Sequence, residues 1–268
     1  LATTVRTPMA SGRPSIFPLV PVMILSLAGF SFIYVFVSTG ESGAVVPGLA
    51  LLLITMFAAV AVSSAYRSEA VAAPSASVAL VCSLALLAAL LPSSGNVYAD
   101  AVVVFAVTAG AVTIFPKAVA LPDLGSPRLR DASVAVVFLL PIGLAFAEAL
   151  FLGLRFWESF HLGGEQSLFF IPFLALWGFL EEALFRGLVQ RSMVPALGPG
   201  YAIAAAAVLN AAFMLFWGSL MFAIYTLLMG LVMGYLYRRT RSVVYVGTVH
   251  ALQDTWLIIA FMVLGIGA

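Results

Sequence analysis

Two short stretches of this 268-residue chain hold residue types and spacings suited to acid–base chemistry. In EEALFR, residues 181–186, two adjacent carboxylates precede an arginine; in VHALQD, residues 249–254, a histidine and an aspartate stand four apart. Glu182 and Arg186 share that spacing with the acid first, which stacks them on one helical face where each neutralises the other. Glu181 is turned roughly 100° from Glu182 and shares its own face with Phe185, so it does not reach that arginine as easily. An ionisable side chain left without a counter-ion in an apolar setting is costly, and one that is kept there is a candidate general base or acid. His250 and Asp254 also lie on a common face, where the aspartate can orient the imidazole.

The elements that carry these residues are read from composition. With 63% hydrophobic and 9% charged residues and a mean hydropathy of +1.16, the chain has lipid as its main solvent. Nine apolar runs are long enough to cross a bilayer as helices. They are residues 17–39, 44–65, 75–92, 97–120, 131–157, 168–191, 199–217, 219–238 and 242–265. The runs are too long for barrel strands and lack a period of two. The expected fold is therefore all-α, a polytopic membrane bundle of about nine transmembrane helices. The tight connection FWGSLM, residues 216–221, is the least secure division, with a reentrant hairpin as its alternative.

Residues 1–16 read as a cytosolic tail, although their Arg, Ser and Thr without acid also fit the end of a targeting peptide. Residues 17–120 form four helices nearly free of polar groups at membrane depth, Asp100 lying near an interface, and 121–130 an inner loop. Residues 131–268 form a five-helix core that collects almost all the chemistry. Placing the amino terminus in the cytoplasm puts eleven basic residues inside and only Arg155 outside, so the carboxyl terminus is external. The expected location is a plasma or inner membrane, with an organelle membrane as the alternative. In this arrangement Glu181 lies roughly 7 Å deeper than Arg186, and His250 reaches a similar depth soon after Arg241. Two helices thus bring ionisable groups to one layer, which implies a single site in a wet cavity.

The remaining features read as structural. Cys82 is a lone thiol in an apolar run and forms no internal disulfide. His161 is a loop residue, and Trp177, Trp217 and Trp256 are packing or interface aromatics. Gly230 and Gly234 form a GxxxG that lets another backbone approach. Glu148 is a further buried acid, expected toward the outer half and away from Glu181. No basic cluster suggests nucleic acid, no HExxH suggests zinc, and no cofactor is expected. Membrane lipids are the expected surroundings.

EEALFRG resembles the EExxxR motif of the CAAX prenyl endopeptidase family and its prokaryotic CPBP intramembrane protease relatives. LGPGYAIAAAAVLN falls at the following distance expected of that family, and TLLMGLVMGYLYRRTRSVVYVGTVHALQD resembles its last core segments. The resemblance covers roughly 131–265 and implies a CAAX-protease-like core. It makes Glu181 the base that activates water, Glu182 and Arg186 a supporting pair, and His250 an oxyanion donor. Two positions depart from the pattern. The histidine of the family's second motif falls, by ungapped counting, on Met214, or on Trp217 if a phenylalanine is kept in register. The strongly polar residue of that helix is Asn210, which can hold a water but not take its proton at neutral pH. At the final position Asp254 replaces the usual asparagine.

The leading function is an intramembrane endopeptidase cutting near a membrane-inserted or prenylated segment, with Glu181, His250, Asn210 and Asp254 as site residues. The alternative is a degenerate relative that keeps the cavity to dock a lipid, pigment or membrane-protein partner. A metal-dependent or ion-conducting role for Glu181, Glu182, His250 and Asp254 is the third.

Overall fold

A computed structural model describes residues 17–66, 68–90, 97–118, 128, 130, 133–152 and 165–263. Residues 1–16, most of 119–132, and Arg155, Glu158 and His161 lie outside the described residues. All regular structure among those described is helical. In chain order the helices are α1 (Leu19–Thr39), α2 (Ser42–Ala65), α3 (Glu69–Leu90), α4 (Val97–Ala118), α5 (Val134–Leu152) and α6 (Glu165–Glu182). The backbone then runs without a break through a π-helical segment (Ala183–Gln190) into α7 (Arg191–Leu197). The last three are α8 (Pro199–Met214), α9 (Leu220–Thr240) and α10 (Val243–Val263). Counting α6, the π segment and α7 as one rod gives nine rods among the described residues, matching the apolar runs.

The chain's punctuation explains where these rods stop. Gly198 takes φ 77°, a backbone that ends α7, and Pro199 starts α8 with its fixed φ and its missing N–H, at a position where no partner is needed. The FWGSLM connection is a turn between two packed helices. A 3₁₀ turn (Leu215–Trp217) leads to Gly218 at φ 68°, and the Ser219 side chain then caps α9 by accepting from the Phe222 N–H at 3.1 Å.

Among the described residues, six helices are long and apolar enough to cross a membrane: α1, α2, α3, α5, α8 and α9. Ala106–Pro116 of α4 and Val243–Ile259 of α10 are shorter apolar stretches. The α6 rod falls below that standard because Glu181, Glu182, Arg186 and Arg191 interrupt it. Its charged stretch instead sits inside the protein, with Glu182 and Arg186 at 0% and 1% exposure. Ile24, Phe57, Phe138 and Phe146 project outward from α1, α2 and α5, as expected of surfaces that meet acyl chains. The protein is a multi-pass, all-α membrane bundle.

One buried cluster joins both halves of the chain. Phe30, Leu52 and Cys82 of the first three helices pack in the same core as Phe185, Met193 and Leu209. A second cluster of Tyr225, Met229, Met233, Val246 and Val249 binds α9 to α10, with Leu140 and Leu144 of α5 against it. The site lies between α6, the π segment, α8 and α10.

Candidate active site

Glu181 and Glu182 are the last two residues of α6, and their angular offset sends the two carboxylates to different neighbours. Glu181 Oε1 accepts a hydrogen bond from Asn210 Nδ2 of α8 at 2.9 Å. Glu182 Oε1 meets His250 Nδ1 of α10 at 2.9 Å, and its Oε2 lies 3.0 Å from Arg186 Nε. The second contact is an ion pair without hydrogen-bond alignment. A carboxylate only accepts, so Nδ1 carries the proton in this arrangement. His250 Nε2 faces Asp254 Oδ1 at 3.7 Å, too far for a hydrogen bond but close enough for attraction once the ring is charged.

The sequence left Glu181 without a partner; the fold supplies Asn210. The expected pairing of Glu182 with Arg186 is present, and Glu182 also braces His250. Glu181 and His250 interact electrostatically, yet each is held by a different residue. Glu181 alone of the two lines a small cavity, whose other walls include Trp177, Leu180, Phe213 and Met214. Room for about one water remains there. Trp177 is therefore a cavity wall as well as a packing residue.

The π segment gives this rod a polar ladder. Glu182, Arg186 and Gln190 recur at four-residue intervals, and all three are buried. Gln190 Nε2 donates to the Gly234 carbonyl of α9 at 3.1 Å. A Cβ at Gly230 would stand 3.3 Å from Arg186 Nη2, and one at Gly234 would stand 2.9 Å from Gln190 Oε1. The GxxxG thus admits polar side chains from the π segment as well as the neighbouring helix α8. Arg186 Nη1 and Nη2, Asn210 Oδ1 and Gln190 Oε1 are buried without a hydrogen-bond partner among the described residues. Such groups suit a hydrated interior.

A second polar group escaped the sequence reading. Gln253 of α10 donates from Nε2 to Glu148 Oε2 of α5 at 2.8 Å and contacts the Tyr225 hydroxyl at 2.6 Å. Tyr225 in turn donates to the Leu144 carbonyl at 3.2 Å. Glu148 is thus tied to the helix that carries His250. The signal was present in Gln253, a buried amide three residues past His250. Among the described residues, no group of three or more His, Cys, Asp or Glu is arranged to hold a metal ion.

Residues 163–256 match a family model described as type II CAAX prenyl endopeptidase Rce1-like. The resemblance read from EEALFRG is borne out over this segment, which supports membership of the CAAX-type intramembrane protease family. The matched residues run from α6 into α10 and include both carboxylates, Arg186, Asn210, His250 and Asp254. No curated protein and no solved structure matches the chain.

Proposed function

We propose that this protein is a glutamate-dependent intramembrane endopeptidase that hydrolyses a peptide bond near a membrane-inserted, and in some substrates prenylated, segment. The observation that carries the proposal is Glu181: a carboxylate buried to 7% exposure, fixed by Asn210 at 2.9 Å, and facing a cavity the size of a water molecule. In the proposed reaction Glu181 takes a proton from water as its oxygen attacks the peptide carbonyl carbon. The C–N bond then breaks, and Glu181 returns the proton to the departing amine. Asn210 fixes the carboxylate through this exchange. His250, oriented by Glu182, offers Nε2–H to the developing oxyanion, and Asp254 beyond it stabilises the charged ring. The charge bias along the chain supports a cytoplasmic amino terminus, an external carboxyl terminus and a plasma or inner membrane.

One observation favours a second reading. Met214 lies on the cavity wall where counting from Glu181 puts the family's second-motif histidine. A site deprived of that proton acceptor fits a catalytically degenerate relative, with the cavity kept for docking a lipid or a partner helix.

Reconstitution separates the two. Purified protein in liposomes is expected to cut a membrane-tethered or prenylated peptide, and Glu181→Gln to abolish cutting while thermal unfolding stays close to that of the parent. Cutting that survives Glu181→Gln removes the proposed base. A parent that cuts nothing and co-purifies stoichiometrically with a membrane partner establishes the docking reading.

A further inference from the structure

The π segment, α8 and α9 meet along a polar seam built in three steps. At the first, Gln190 Nε2 donates to the Gly234 carbonyl at 3.1 Å, and Ile203 of α8 closes on the same glycine. At the second, Arg186 Nη2 and the Ala207 side chain of α8 both lie beside Gly230. At the third, Asn210 Nδ2 donates to Glu181 Oε1. Ile203, Ala207 and Asn210 succeed one another by a turn along α8, as Gly234 and Gly230 do along α9, so the steps are spaced by roughly 4.5–6 Å. The first step lies one turn from the exposed Arg238. The last is the cavity of Glu181.

Each step holds a buried polar atom that its protein neighbours leave unsatisfied: Gln190 Oε1, Arg186 Nη1 and Nη2, and Asn210 Oδ1, on side chains exposed by 2% or less. The two amides are oriented by chemistry, because a nitrogen that donates to a carbonyl or a carboxylate leaves the oxygen for any other partner. The seam therefore alternates acceptor, donor, acceptor. An anion would suit the guanidinium and leave both amide oxygens unserved, while a cation would suit the oxygens and be repelled by the guanidinium. Water both donates and accepts. With two hydrogen bonds of about 2.9 Å, one molecule spans roughly 5–6 Å, which matches the interval between steps. The glycines belong to the same arrangement, since a Cβ at Gly234 would stand 2.9 Å from Gln190 Oε1 and one at Gly230 3.3 Å from Arg186 Nη2.

We infer that ordered water binds along this seam and forms a file from the arginine-bearing end of α9 to Glu181. Gln190 holds the outermost molecule, Arg186 the middle of the file, and Asn210 passes it to the carboxylate. Hydrolysis consumes one water for each bond cut, and a site enclosed by apolar helices draws that water from the interior of the protein rather than from lipid. The supply of water for catalysis rests on the endopeptidase reading; the hydration of the seam does not.

Two measurements test this. Cys82 is the chain's only cysteine, so in a Cys82→Ser background Ala207→Cys places the sole thiol on the seam. Its S–H stretch in the infrared reports exchange to S–D when proteoliposomes are moved into deuterium oxide. Ala206→Cys is the dry comparison, because Ala206 packs in the apolar core one residue away. Exchange is expected to be at least about tenfold faster at 207 than at 206, and Gln190→Leu to slow it at 207 by about tenfold. Where Ala207→Cys does not fold, Ile203→Cys beside Gly234 is the reporter, compared with Ala202→Cys in the apolar core; Gln190→Met replaces Gln190→Leu on the same ground. In the protein with an unaltered α8, Gln190→Leu is expected to lower kcat for a tethered peptide roughly tenfold with KM near that of the parent, since it restricts water and not peptide binding. Exchange on the seam no faster than in the core, or indifferent to residue 190, overturns the file. Slowed exchange with an unchanged kcat overturns the supply of water to Glu181. Exchange that behaves as expected in a protein that cuts no peptide upholds the hydrated seam and removes only the endopeptidase reading.

Discussion

Asn210 Nδ2 donates to Glu181 Oε1 at 2.9 Å, linking two residues 29 positions apart across α8 and α6. Removing the donor leaves a buried carboxylate without its one hydrogen-bond partner among the described residues. Asn210→Ala is expected to lower the cleavage rate in liposomes at least tenfold, and Asn210→Asp to lower it further by setting a second carboxylate against the first. An Asn210→Ala protein that cuts at the parent rate shows that Glu181 needs no such support.

Met214 is 2% exposed and lies on the same cavity wall as Glu181. If the reaction proceeds through water activation there, Met214→His adds a proton acceptor beside the water. Such a group is typically worth about 10²–10⁴ in rate when well placed. A gain of at least tenfold in cleavage is expected for Met214→His, with no gain when Glu181→Gln is added. Loss of cleavage in a folded Met214→His protein contradicts the assignment of this position.

The Glu182–Arg186 pair is almost completely buried, with 0% and 1% of the side chains exposed. Breaking one partner of such a pair typically costs about 3–5 kcal/mol, whereas replacing both with apolar groups costs far less. Arg186→Met is expected to lower the unfolding temperature in detergent sharply, and Glu182→Leu with Arg186→Met to recover most of it. The double variant is still expected to lose activity, because His250 has lost the acceptor for its Nδ1 proton. A single variant as stable as the parent argues that Glu182 is not ionised.

Gly178 of α6 lies directly against the site-bearing face of α10. A Cβ there would stand 2.7 Å from Asp254 Oδ2 and 3.0 Å from His250 Cδ2. Gly178→Ala is expected to push both side chains aside, costing about 1–3 kcal/mol and most of the activity. Gly110 of α4 meets nothing within 4 Å among the described residues, so Gly110→Ala is expected to leave stability unchanged or raise it by up to about 1 kcal/mol. Equal behaviour of the two variants, read from unfolding and cleavage together, contradicts the close approach of α10.

The parts of this protein legible in its sequence are those that depend on local spacing. Apolar runs set the nine rods, because helix length in lipid follows from bilayer thickness. The four-residue step set the Glu182–Arg186 pair. Contacts between distant elements were harder to read. Shared depth brought Glu181 and His250 to one layer, but depth does not fix the rotation of α10, and that rotation turns His250 toward Glu182. Asn210 was identified as a polar residue of interest on its helix, while its role as the partner of Glu181 needed the packing of α8 on α6. The contact of Glu148 with Gln253 was not read from the sequence because Gln253 is neutral, and an uncharged amide carries little weight in a search for ion pairs.

The π segment has a consequence for any length change in this rod. Its wider turn accommodates an additional residue relative to ordinary helix, and the carboxylates precede it. Adding one further residue within 183–190, or winding the segment as ordinary helix at its present length, would leave Glu181 and Glu182 where they are and swing everything downstream by roughly 100°. Gln190 would then face away from Gly234, and α7 would meet α3 and α8 on the wrong side. The segment therefore acts as a phase-setting splice between the acidic end of α6 and the frame that holds it.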